Sequence, residues 1–120
     1  MTINARLDAV FVHVTDMPRA IAWYCRLLDL PTPVTTHEDM ICDLDIAGET
    51  GIMLDAYPKP VAPKGTGPRL MFATHDLAAA HELAQSLSDT VSDVQDIGSA
   101  VVFYVEDPDH NQICIIQRKS

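Results

Sequence analysis

Apolar and polar residues along this chain follow two periods, a period of two for strands and one near 3.6 for helices, and their order of appearance occurs twice. Leu7 to Val14 alternates as a strand, with Ala9, Phe11 and His13 on one face and Val10, Val12 and Val14 on the other. Asp16 then stands at a helix N-cap position with Pro18 in the first turn, where a missing N–H costs little. Ala20, Trp23, Tyr24, Leu27 and Leu28 supply the buried stripe, and Pro31 and Pro33 are expected to stop the helix. Strands are expected near Thr35–His37 and at Met40–Ile46. The AGETG stretch reads as a hairpin turn into Ile52–Tyr57.

Shifted by 60 residues, half its length, the chain overlays itself: Asp16 falls on Asp76, Met17 on Leu77, Ala20 on Ala80 and Leu27 on Leu87. The second pass predicts a strand at Arg69–Thr74 and a helix capped by Asp76 that runs to about Ser88. Strands at Thr90–Asp96 and Ser99–Val105, a tight turn at Asp107–Asn111 and a closing strand at Ile113–Gln117 follow. Met53 then corresponds to Cys114, with a one-residue insertion between the copies. The expectation is one domain made of two β-α-β-β-β modules, about 5–57 and 69–118. The stretch 58–68 between them is rich in proline and glycine and carries Lys59 and Lys64, and it serves as a crossover or a lid.

Composition narrows the function. A hydrophobic content of 48% suits an ordinary core and speaks against disorder. Seventeen carboxylates against eight Lys plus Arg give a formal charge of −9, a surface that phosphates would repel, so nucleic acid is not an expected partner. That charge reads either as solubility or as attraction for a cationic ligand. No apolar run is long enough to span a bilayer, and the first residues lack a signal-peptide pattern, so a cytoplasmic protein is expected. Cys25, Cys42 and Cys114 are odd in number and show no C-x-x-C spacing, which fits reduced thiols.

The stretches VTDMPRAIAWYCRLLDLP and FYVEDPDHNQICII resemble the vicinal oxygen chelate superfamily of glyoxalase I, extradiol dioxygenases, fosfomycin-inactivating enzymes and bleomycin-resistance proteins. Asp29 stands where that family usually has Gly in a Leu-Gly-Leu ending, and His110 stands for Gly in its DPDGN turn. The resemblance spans residues 5–118. It implies an α+β fold in which two modules join into a curved, partly open eight-stranded barrel with the helices outside and the ligand in the hollow.

In metal-dependent members, the resemblance further implies, a His or Glu occupies four matched points; here these are Ala9, Met53, Arg69 and Cys114. Alanine has no donor, arginine is permanently cationic, methionine is a soft weak ligand, and Cys114 alone could bind well, so no metal or other cofactor is expected. His13 shares the face of Ala9 but lies four residues on, roughly 13 Å along a strand at about 3.3 Å per residue, and His37, His75, His81 and His110 offer no paired spacing. No nucleophile elbow, dinucleotide fingerprint or phosphate loop is present.

The expected ligand site is Phe11, His13, Met53, Asp55, Arg69, Met71, Tyr104 and Cys114, with no catalytic residue assigned. His13 is the candidate acid or base if chemistry occurs. Asp43 and Asp45 add an acidic sheet face. Three readings stay open: a metal-independent binder of a small aromatic or cationic molecule; a glyoxalase- or dioxygenase-like enzyme with a displaced metal; and a module whose groove only pairs subunits. A homodimer fits all three.

Overall fold

A computed structural model describes residues 2–60 and 66–120. Lys64 and the middle of the expected crossover lie outside the described residues. The fold is α+β, with two helices and two four-stranded mixed sheets. The chain divides into two compact units, Met1–Lys59 and Pro60–Ser120.

The first unit runs β1 (Ala9–His13), α1 (Met17–Leu28), β2 (Thr35–Thr36), β3 (Ile41–Leu44), β4 (Gly51–Asp55). Its sheet order is β1-β4-β3-β2, with β1 and β4 parallel and the other pairs antiparallel. The second unit runs β5 (Leu70–Ala73), α2 (Leu77–Leu87), β6 (Gln95–Asp96), β7 (Ala100–Glu106), β8 (Gln112–Arg118), in the order β5-β8-β7-β6. Here too the first and last strands are parallel.

The alternation in the sequence decides which face is buried. In the first unit Val12, Leu54 and Cys42 are adjacent in the ladder and fully buried, as are Ala20 and Tyr24 of α1. In the second, Phe103, Val105 and Ile113 are buried, and His81 of α2 meets Phe103 edge-on at 4.9 Å between ring centres. Each fully buried side chain of this size contributes roughly 1.5–3 kcal/mol of hydrophobic stabilisation.

Both helices start as expected. Asp16 accepts from the Arg19 N–H at 3.1 Å and Asp76 from the Ala79 N–H at 3.1 Å, satisfying donors that the first turn leaves without an intrahelical partner.

The structure corrects four details. Asp29, not the prolines, ends α1: it takes the left-handed conformation at φ 54°, and the Leu30 N–H closes on the Cys25 carbonyl at 2.9 Å. The link after β3 spans residues 45–50, longer than a tight hairpin, because β3 stops at Leu44 and Ile46 folds back on its carbonyl at 3.0 Å. The strand expected at Thr90–Asp96 breaks into a single bridge, Val91 to Val105, and the two-residue β6. Between them the Ser92 hydroxyl, rather than a main-chain carbonyl, accepts the Tyr104 N–H at 2.8 Å. The strand expected at Thr35–His37 keeps two residues, because His37, Glu38 and Asp39 follow in the left-handed region at φ 55°, 55° and 66°.

Candidate functional site

Of the eight expected site residues, four lie on the sheet face of the first unit that turns away from its core. Phe11 pairs with Met53, His13 pairs with Asp55, and Asp43 continues the row beyond Met53. Phe11 is 57% exposed. Asp55, at the end of β4, is buried, and its carboxylate is already engaged: it accepts from the Tyr57 N–H at 2.9 Å and from Lys59 Nζ at 2.7 Å. Burial pushes this carboxyl up, but the hydrogen bonds from Lys59 and Tyr57, with the charges of Lys59 and His13, outweigh it and leave the pKa below the ordinary value. His13 Nδ1 lies 3.0 Å from the Asp55 carbonyl, which can only accept, so that nitrogen carries the proton.

The other four come together around one pocket of about 170 Å³ in the second unit, lined by Arg69, Leu70, Met71, Tyr104, Gln112 and Cys114. The register explains the grouping. Cys114 on β8 lies between Met71 on β5 and Tyr104 on β7, and Gln112 is two residues back on the same face. On the same face Ala100, Val102, Cys114 and Ile116 form a buried cluster against which Tyr104 packs. Burial raises the Cys114 thiol above its ordinary pKa, and a hydrogen bond from Tyr104 offsets part of the rise. A thiol held protonated in this way is a poor nucleophile. Arg69, just ahead of β5, is exposed and forms no ion pair among the described residues.

The two units place these residues equivalently. Val10 pairs with Ile52 as Leu70 pairs with Ile113, so Ala9 and Met53 stand to one another as Arg69 and Cys114 do. That is the 60-residue shift with one insertion, seen in the ladder itself.

The donor set at these four points does not fit a metal ion. Of Ala9, Met53, Arg69 and Cys114, one has no donor atom, one is a fixed cation and one is a thioether, which leaves the Cys114 sulfur as the single strong donor of the four. Among the described residues no three His, Cys, Asp or Glu side chains gather as ligands elsewhere. The histidines are held apart: His81 Nε2 donates to the Ser92 carbonyl at 2.8 Å, and His110 Nδ1 meets Glu106 at 3.1 Å.

The sequence reading missed Leu70, Gln112 and a second cavity. Gln112 was legible by alternation from Cys114. The second cavity, about 430 Å³, lies between α1 and the stretch after it, with Met17, Ile21, Cys25, Thr32 and Asp39 in its wall. Its far side is shaped by the left-handed residues at 37–39, a conformation that no local pattern announces.

No helix among the described residues is long and apolar enough to cross a membrane. A search of curated proteins finds no significant match. Several solved structures share the fold. A glyoxalase/bleomycin resistance protein from Albidiferax ferrireducens T118 is 21% identical with a TM-score of 0.73, over 94% of this chain and 98% of that one. TnmS3, an antibiotic binding protein from Streptomyces sp. CB03234, is 22% identical at 0.72, over 99% of each chain. Oxidase ChaP-H1 is 15% identical at 0.77, over 97% and 98%. A family model matches residues 6–115, nearly the whole chain. The chain belongs to the Glyoxalase/Bleomycin resistance protein/Dioxygenase superfamily.

Proposed function

We propose that this protein binds a small aromatic molecule without a metal, in the manner of a bleomycin-resistance protein, using Phe11, His13, Met53, Asp55, Arg69, Met71, Tyr104 and Cys114. One observation carries the reading. Phe11 and Met71, 60 residues apart and equivalent in their strands, are left 57% and 58% exposed on faces that the helices do not cover. Large apolar side chains at matched points of two sheets are suited to stacking and burial against a ring. The aromatic part of the expectation rests on these exposed side chains, and the cationic part on the exposed Asp43 and Asp45, since Asp55 is tied to Lys59. That TnmS3 is named an antibiotic binding protein is in keeping with this role.

The proposal extends to the arrangement implied by the resemblance. Two duplicated modules make one domain, each giving four strands to a partly open barrel, and the protein acts in the cytoplasm as a homodimer. Free Cys25, Cys42 and Cys114 accord with a reducing compartment.

Calorimetric titration with bleomycin and with simple aromatic compounds tests the reading, and heat saturating in the micromolar to millimolar range is expected. Elemental analysis of protein purified without chelator is the companion measurement. A full equivalent of zinc, nickel, manganese or iron, with turnover that depends on it, would replace this reading by that of a metalloenzyme.

A further inference from the structure

We propose that the ligand of the second unit's pocket carries a carboxylate on a small planar ring, and that the Arg69 guanidinium takes the place of a cation in holding it. The inference rests on the aromatic-binding reading above and adds the charge of the group recognised.

Three observations converge on it. First, Arg69 borders the pocket and has no ion-pair partner among the described residues, whereas Lys59 is engaged by Asp55, Lys119 by Asp96 and Arg6 by Asp8, and Arg26 and Arg118, also without an ion pair, do not line the pocket. An unpaired guanidinium at a cavity mouth repels a cationic ligand and attracts an anionic one. In a chain with a formal charge of −9 it is a local exception to the overall field.

Second, the remaining wall is divided by chemistry. Leu70, Met71 and Cys114 are apolar, and the Tyr104 hydroxyl donates to Cys114, while the Gln112 amide supplies a hydrogen-bond donor on the same sheet face as Cys114. The carboxylate placed opposite Gln112 in the ladder, Glu106, is engaged by His110 at 3.1 Å.

Third, the size is selective. A pocket of about 170 Å³ holds roughly five or six water volumes at about 30 Å³ each, enough for one ring and one carboxyl group. A planar carboxylate matches the guanidinium fork with two parallel hydrogen bonds. A phosphate dianion would call for a second cation, and among the described residues Arg69 is the one cation that lines this pocket.

The probe is benzoate, set against benzamide and benzylammonium, by amide chemical-shift titration of the full chain. Affinity of millimolar order is expected for so small a ligand. Benzoate should shift the amides of Leu70, Met71, Gln112 and Cys114. Benzamide should bind about tenfold more weakly and benzylammonium more weakly still. Arg69→Met should cost about tenfold for benzoate while leaving benzamide unchanged, and Arg69→Lys should fall between them. Arg69 is exposed, so neither variant threatens the fold. Equal binding of benzoate and benzamide, or an Arg69→Met variant that keeps benzoate affinity, overturns the carboxylate proposal and leaves the aromatic reading standing. Failure of all three rings to bind overturns both.

Discussion

The two units are built by the same devices and finished for different tasks. Each has an aspartate cap at 3.1 Å, and each has a main-chain bond from the loop after its first strand to its last strand: Val14 to Asp55 at 3.0 Å, and Thr74 to Ile116 at 2.9 Å. Their open faces differ at every equivalent point. Ala9, Phe11, His13, Met53 and Asp55 in the first become Arg69, Met71, Ala73, Cys114 and Ile116 in the second. The first face ends in a satisfied ionic cluster, and the second joins apolar residues to Tyr104 and Gln112, with the unpaired Arg69 at the pocket's edge. In the first unit the fully buried residues Val12, Cys42 and Leu54 lie on the opposite face, whereas in the second the equivalent points Cys114 and Ile116 are themselves buried with Ala100 and Val102, so the two faces carry different shares of the packing.

The sharpest way to break this comparison is to empty each core in turn. Tyr24→Ala and Phe103→Ala should each cost about 3–5 kcal/mol in urea denaturation, since both rings are fully buried. A loss under about 1 kcal/mol at one of them would show that the two cores do not carry like weight.

Asp55→Asn tests the asymmetry of the faces. At neutral pH it should cost about 1 kcal/mol, a charge-assisted bond discounted because Lys59 keeps 43% of its side chain in solvent. The folded pKa of Asp55 lies below its unfolded one. Its stabilisation is therefore complete above the unfolded value of about 3.9 and disappears as pH falls through the lower folded value. The gap between the parent and Asp55→Asn should narrow through that acidic window. Ile116→Val, at the matching point, should show no such narrowing.

The caps sharpen the likeness instead. Asp16→Ala and Asp76→Ala should each lose about 1 kcal/mol, and by nearly equal amounts, as their equal geometry requires. The smallest effects are gains. His110→Gly and Asp29→Gly relieve residues at φ 67° and 54° and should add about 0.5–1 kcal/mol, more for His110 because aspartate tolerates that region better. Thermal melts of the two variants give the order.

Much of this was legible in the chain. Period and caps placed both helices, and the antiparallel register of β7 and β8 sets Tyr104 beside Cys114. Two kinds of feature were not legible. The α1 terminus and the turn at 37–39 depend on non-glycine residues in left-handed conformations, which composition argues against. The engagement of Asp55 by Lys59 depends on the path taken by a proline-rich stretch, so a residue read as an attractor for ligands serves instead as an internal anchor.

The order β1-β4-β3-β2, repeated as β5-β8-β7-β6, has a consequence for biosynthesis. In each unit the strand made last is not an outer one but goes in between two that were made before it. Until β4 leaves the ribosome, β1 has no neighbour to bond with. A chain truncated before Gln112 would lose the middle of its second sheet and leave β5 stranded. Termination before Gln112 should therefore yield aggregates rather than a slightly frayed protein.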